Sequence, residues 1–218
     1  MDMDMEADAP DASDPADETQ ETYDLITAEY TRQNAAAWSN LVEQLSTLTA
    51  CLPPDGVVAD VGCGPGRDIE LLRARGFRVI GIDRSLGQLR TSGLRGVAQA
   101  DMRQLPLRAG AADAIWCQAA LLHIPGTGVP AVLAEFARAV RPGGWLYLSV
   151  AEGDGEGFQV ASNYGSSRRR WFTFHREPHL AAMLARAGFT VRQVRRDRNQ
   201  RVWLSIHAQQ ISEGATCH

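Results

Sequence analysis

The sequence predicts an α/β fold in which short buried strands alternate with helices, and three observations predict it. Val57 to Val61 is an apolar run broken only by Asp60. Glycines 62, 64 and 66 and then the amphipathic stretch Asp68–Arg75 follow at once, which is the order of strand, tight turn and helix. Further short apolar runs, FRVIGI at 77–82, ADAIWC at 112–117 and WLYLSV at 145–150, are separated by segments of helical pattern. Apolar residues make up 44% of the 218, enough for one core, and that length suits one domain of about 180–190 residues plus a tail.

Residues 1–20 are acidic and carry too little apolar content to order themselves, so they are expected to form a disordered tail before a single domain at 21–210. The acidic start has no apolar core of a secretory signal and none of the arginines of a transit peptide. No run approaches the ~18 apolar residues of a membrane span. A cytoplasmic protein with no membrane partner is expected.

From Thr22 a helical face carries Tyr23, Ile26, Thr27 and Tyr30. A second carries Trp38, Leu41, Val42, Leu45 and Leu48, and Pro53-Pro54-Asp55-Gly56 stops it. After the glycine turn and its helix, which Gly76 ends, Phe77–Ile82 forms strand two and ends in Asp83. Ser85–Ser92 is a short helix, and Gly96–Ala100 is strand three, ending in Asp101-Met102. Ala112–Cys117 is strand four, followed by Gln118 and the segment LLHIP with His123. Gly128–Val140 places Val129, Val132, Leu133, Phe136 and Val140 on one helical face, with Arg141-Pro-Gly-Gly144 as its stop. Trp145–Val150 is strand five. EGDGEGFQ then reads as a flexible acidic loop and SSRRRWFTFH as a short edge strand. Glu177–Ala187 is a helix, and Phe189–Arg196 with Arg201–Ala208 is a final antiparallel hairpin around 197–200.

The turn carries the chemistry. Glycine is needed where backbone takes unusual dihedrals or lies against a ligand, and the following helix offers unpaired N–H groups to that turn. The spacing is G-x-G-x-G, with Arg67 where a dinucleotide fingerprint has its third glycine, and no lysine exists anywhere for a P-loop. A ligand with an amino-acid tail suits this turn better than a diphosphate. Asp83, seventeen residues after Gly66, stands where a carboxylate can accept from both hydroxyls of a ribose. Asp101 can bind an adenine amino group and Met102 can cover the ring. The plainer alternatives are a helix-capping Asp83 and a loop acid at 101.

Net charge is −4, but eleven acids lie in residues 1–29 and the remainder is about +7, with ten arginines between 168 and 201. Such a region suits a polyanion or is simply a solvated surface. Cysteines 51, 63, 117 and 217 form no C-x-x-C pair, so no metal site is expected.

DVGCGPG, GID at 81–83 and AD at 100–101, in that order at strand ends, resemble the landmarks of class I S-adenosylmethionine (SAM) dependent methyltransferases, especially the small-molecule and quinone-type members. The resemblance spans Thr22 to Ala208. It implies a Rossmann-like, doubly wound seven-stranded sheet, six strands parallel and one reversed, with helices on both faces. TYDLITAEY resembles that family's lid helix, so the helices within 21–50 would cover the cofactor. SAM is the implied cofactor, held by Tyr30, Asp60, Gly62, Cys63, Gly64, Gly66, Asp83, Arg84, Asp101, Met102 and Gln118. LLHIP resembles the segment after strand four and makes His123 a candidate base or positioning group. The 151–176 insertion, beyond the strand C-termini, is the candidate for acceptor choice, with Tyr164, Arg170, Trp171 and His175 as contacts for a small-molecule acceptor and Tyr23 of the lid helix as a further one. No D-P-P-Y or N-P-P-Y signature is present, which argues against base methylation and disfavours nucleic acid as a partner. Two other readings stay open, an RNA or protein methyltransferase using the Arg-rich third and a SAM-binding protein that transfers no methyl.

Overall fold

The structure is a computed structural model and describes residues 14–36, 39–198 and 201–211. The strands are β1 (Val57–Val61), β2 (Arg78–Asp83), β3 (Val97–Gln99), β4 (Ala112–Gln118), β5 (Val140–Ala151), β6 (Glu156–Val160), β7 (Arg169–Thr173), β8 (Phe189–Arg198) and β9 (Val202–Gln210). Seven form one sheet in the order β3-β2-β1-β4-β5-β9-β8. Pairing is parallel through β5, and β9 runs antiparallel to both β5 and β8, so six strands share a direction and one is reversed, as expected.

Helices cover both faces because the strands alternate. Ala114 and Trp116 of β4 face a core layer with Leu41, Leu45 and Leu48 of helix α2 (Ser39–Thr49) and Ile69 and Leu72 of α3 (Arg67–Arg73). Ile115 and Cys117 face the other layer. There Val132, Leu133 and Phe136 of α5 (Val129–Ala139) and Leu180 and Leu184 of α6 (Glu177–Arg186) close the core. Two-residue periodicity on a sheet buried on both faces requires this division. Strand order turns back between β1 and β4, and the crevice at such a switch point is where open α/β sheets take ligands.

Several elements differ from expectation. Helix α1 spans Pro15–Asn34, so residues 15–20 are helical rather than part of a tail. Asp14 accepts from the Ala16 N–H at 2.9 Å and Pro15 opens the first turn, which is an ordinary helix start. The rest of the expected tail, and Trp38 of the second helical face, lie outside the described residues. On that face Val42 is 37% exposed, while Leu41, Leu45 and Leu48 are buried. The segment expected as a flexible loop contains β6, which pairs antiparallel with β7 as a separate two-stranded sheet. SSRRRWFTFH does supply a short strand, β7, within that second sheet and not at the edge of the main one. It lies under α1, where the Trp171 N–H donates to Thr19 Oγ1 at 2.8 Å and Thr22 Oγ1 donates to the Arg169 carbonyl at 2.6 Å. Strand β8 runs on through Asp197 and Arg198, two residues expected in the turn.

Candidate active site

The glycine turn leaves the tip of β1 with three left-handed glycines. Gly62 has φ +78°, and a Cβ there would stand 2.2 Å from the Ala120 Cβ, so the close approach of β1 to the end of β4 requires glycine. Gly64 has φ +53° with only ordinary distances around a built Cβ, and its N–H donates to Asp83 Oδ2 at 2.8 Å. The other Asp83 oxygen accepts from the Ser85 N–H at 2.8 Å. The two backbone bonds point the carboxylate across the tips of β1 and β2. Burial pushes the Asp83 carboxyl up, against those bonds. Ser85 is the true cap of α4 (Leu86–Ser92), accepting from the Gln88 N–H at 3.2 Å, so Asp83 is not needed for that task.

Two cavities open at these strand ends. The narrow one, about 100 Å³, is lined by Gly62, Gly64, Asp83, Arg84, Asp101 and Met102 together with Ala16, Thr19 and Gln20 of α1. The wide one, about 490 Å³, is lined by Asp60, Cys63 and Asp68 on the glycine-turn side and by Tyr164, Arg170, Phe172 and Arg201 on the other. Tyr23, Tyr30, Gly62, Gln118, Ala119 and His123 line both.

Helix α1 is fastened over the narrow cavity by charge. Asp14 pairs with Arg103 at 2.6 Å, Arg103 with Asp101 at 2.7 Å, Arg84 with Asp101 at 3.4 Å and Arg84 with Asp17. Asp24 Oδ1 accepts from Ser85 Oγ at 2.6 Å and from the Gly87 N–H at 2.7 Å. Against the cost of burial, the Arg103 guanidinium holds the Asp101 carboxyl below its ordinary range. Both Asp101 oxygens therefore already accept from Arg103, a competition that an isolated Ala-Asp motif does not reveal.

Asp60 is buried, and its Oδ2 has no hydrogen-bond partner among the described residues. Burial and then the nearby Asp68 push its carboxyl well up. Asp68 itself pairs with Arg67 at 2.6 Å and accepts from the Trp116 indole at 2.8 Å. Trp116 stacks on Tyr147 at 3.8 Å, and Tyr147 donates to Gln118 Oε1 at 2.8 Å, which fixes the Gln118 amide at the junction of the cavities. Ala119 beside it has φ +52°, a conformation uncommon for a residue with a Cβ and one that collects at functional sites.

His123 sits in a short 3₁₀ turn, Leu121–His123, after β4. Its Nδ1 lies 2.6 Å from the Trp171 carbonyl and must carry the proton, which leaves Nε2 to accept from the Tyr23 hydroxyl at 2.8 Å. Arg170 Nη1 donates to the same hydroxyl at 3.2 Å. Burial pushes His123 down to about 3, so the ring is neutral near pH 7. Its one free lone pair is already used.

Most sequence-predicted site residues converge here. Gly66 is an exception: it lines neither cavity, and a Cβ there would meet Leu94 Cδ1 at 2.4 Å, so it supports the turn from behind. Trp171 and His175 also line neither. Alternation on β7 sends Arg170 and Phe172 toward the wide cavity and Trp171 to the opposite face, where its indole donates to Thr173 Oγ1 at 3.1 Å. His175 is buried beside Ala151, whose carbonyl accepts its N–H at 3.0 Å. Sequence reasoning missed Arg201, Phe172, Asn163 and Trp203, as well as Ser85 and Gln88. Period two in RWFTF would have selected Phe172 with Arg170; nothing local marks Arg201.

A glycine turn and three strand-tip carboxylates at the switch point of a 3-2-1-4-5-7-6 type sheet define the class I methyltransferase architecture. A methyltransferase-domain family model matches residues 30–194, and the chain belongs to that family. The ubiquinone biosynthesis O-methyltransferase of Leptothrix cholodnii is 30% identical over 118 residues, 49% of either chain. The chain thus spans about half the length of the curated relatives it matches first. Among solved structures, Burkholderia thailandensis 1,6-didemethyltoxoflavin-N1-methyltransferase, with 1,6-didemethyltoxoflavin and S-adenosylhomocysteine bound, is 22% identical. That likeness covers 94% of each chain with a TM-score of 0.67. Magnesium protoporphyrin IX methyltransferase from Synechocystis PCC 6803, with SAM bound, is 18% identical over 93% of this chain and 100% of its own, with a TM-score of 0.71. These two likenesses concern the fold.

Proposed function

We propose that this protein is a SAM-dependent methyltransferase acting on a small-molecule acceptor. The observation that carries the reading is the pair of cavities meeting at Tyr23, Gln118 and His123, one bounded by the glycine turn and Asp83, the other aromatic. The residues fit an adenosyl sulfonium with an amino-acid tail. Asp83 has lone pairs left for two ribose hydroxyls, and Gln88 Oε1 is buried without a partner among the described residues. Asp60 is buried, with its Oδ2 lacking a hydrogen-bond partner among the described residues, and an ammonium group there would relieve its burial. Met102 and Ile82 supply apolar contact for adenine in the narrow cavity, with Asp101 at its rim.

When bound, SAM would supply an electrophilic methyl for the acceptor's nucleophile and would leave as S-adenosylhomocysteine, with the acceptor's proton passing to solvent. The protein's task is to hold the acceptor in line and keep water out; such alignment supplies ~7–11 kcal/mol of a barrier. His123 acts here as a positioning group for Tyr23, since its lone pair is used and burial makes it a weak base. Tyr23, held between His123 and Arg170, is the group that faces an acceptor. The Arg-rich third supports a polyanion poorly, because Arg169, Arg176, Arg195 and Arg196 pair with Glu18, Asp154, Glu43 and Glu152.

Isothermal calorimetry with SAM, followed by a screen of acceptors with methyl-labelled SAM, tests the reading. Micromolar SAM binding and a labelled small-molecule product are expected. Absence of SAM binding would refute it, and binding without transfer to any acceptor class would favour the non-methylating alternative.

A further inference from the structure

The wide cavity is lined by one buried and one half-buried arginine, neither with a counter-ion among the described residues. Arg170, on β7, is only 7% exposed. Its Nη1 reaches the Tyr23 hydroxyl, its Nη2 reaches Asn163 Oδ1 at 3.4 Å, and its Nε has no partner among the described residues. Arg201, just before β9, donates to Gln159 Oε1 at 3.1 Å, and its buried Nη1 has no partner among the described residues. Neither forms an ion pair with a carboxylate among the described residues. The carboxylates that also line this cavity have other partners or none to give: Asp68 holds Arg67 and Trp116, Asp197 accepts from Asn40 at 2.6 Å, and Asp60 is pushed toward its neutral form.

The two guanidiniums share one ring, with Arg170 5.4 Å and Arg201 4.8 Å from the Phe172 centroid. Burial and then the charge of Arg170 lower the Arg201 guanidinium's affinity for its proton. Like charges held side by side and partly shielded from water are costly, and a protein keeps them where something else brings the opposite charge. Around them Tyr23, Tyr30 and Tyr164 offer ring faces and edges, with Arg170 5.0 Å above Tyr164.

We propose, resting on the methyltransferase reading, that the acceptor is a hydroxylated aromatic acid whose carboxylate is held by Arg170 and Arg201 and whose ring lies among the tyrosines. Planar guanidinium forks match carboxylate oxygens in pairs, and aromatic walls favour a flat ring over an aliphatic chain. Arg170 fixes both ends of the arrangement, since it also holds the Tyr23 hydroxyl at the border with the narrow cavity. The carboxylate therefore orients the ring so that its hydroxyl is presented toward that border.

The test uses matched probes: hydroxybenzoic, hydroxycinnamic and hydroxynaphthoic acids, their methyl esters, and the corresponding hydroxyaryl phosphates. Binding is measured by calorimetry on protein saturated with S-adenosylhomocysteine, and turnover by labelled methyl transfer from SAM. At least one acid is expected to bind about tenfold or more tighter than its ester, the loss expected for one charge-assisted hydrogen bond. Arg201→Gln, used once a melting curve shows it folded, should reduce that preference to about twofold while S-adenosylhomocysteine affinity stays within about twofold, because Arg201 is not one of the residues assigned to the cofactor. Arg170→Gln should reduce it further. Esters bound as tightly as acids, phosphates preferred over carboxylates, no acid bound at millimolar concentration, or an acid preference that survives both substitutions would each overturn the proposal. Failure of S-adenosylhomocysteine itself to bind would overturn the methyltransferase reading and this proposal with it.

Discussion

Replacing Asp83 by asparagine separates its two possible tasks. The carboxylate spends one oxygen on the Gly64 N–H and one on the Ser85 N–H, each at 2.8 Å. Asparagine keeps a single acceptor, so its NH₂ must face one of those backbone donors. A buried donor left unsatisfied costs about 1–3 kcal/mol. Burial already pushes this carboxyl up, so removing the charge offsets part of that loss. A net cost of about 1–2 kcal/mol is expected, which lowers the melting temperature of a chain this long by roughly 2–8 °C. Binding suffers more. Two ribose hydroxyls donating to a charged carboxylate contribute about 1.5–3 kcal/mol each, so SAM affinity should fall by about 100-fold or more. Calorimetry measures the affinity. Thermal melts with and without SAM measure the stabilisation by mass action, which should be nearly lost in the variant. If Asp83→Asn binds SAM within about threefold of wild type while its melting temperature falls as expected, the carboxylate is only a clamp for the turn, and its assignment to the ribose is refuted.

Gly62→Ala should be among the most damaging small changes. The left-handed backbone costs about 1–2 kcal/mol, and relieving a 2.2 Å approach to Ala120 costs about 1–3 kcal/mol more; chemical denaturation giving a loss under 1 kcal/mol would contradict the packing described. Tyr23→Phe leaves the buried His123 Nε2 without its donor, so stability should fall by about 1–3 kcal/mol and methyl transfer should fall more than SAM affinity; unchanged turnover would remove Tyr23 from the acceptor site. The three histidines 123, 175 and 207 are pushed by burial down to about 3, 4 and 4. Each lowered histidine binds its proton in the unfolded chain first, so stability is full above about pH 6.5 and falls as pH drops toward the folded value, while raised Asp60 and Asp83 act in the opposite direction. His207→Gln should flatten the stability profile between pH 6.5 and 4 by up to about 1.4 kcal/mol per pH unit, and an unchanged slope would show that His207 titrates normally.

The local pattern of residues determined the strands, the turn and three of the carboxylates. Val57–Val61 with its glycines, and Asp83 and Asp101 at strand tips, are legible because burial and unusual backbone leave signatures within a few neighbouring positions. The same locality explains the errors. Asp14 and Pro15 start α1 within a stretch whose acidity masked an ordinary helix cap. Trp171 was grouped with Arg170 although adjacent strand residues face opposite ways. Only the folded chain decided which side chains meet: Arg201 joins Arg170 across a separation of 31 positions, and Tyr23 reaches His123 across 100. It also decided that the lone pair of His123 is already used and that both Asp101 oxygens are shared with Arg103, because hydrogen-bond partners and burial depend on what packs nearby in space, and sequence spacing does not encode that.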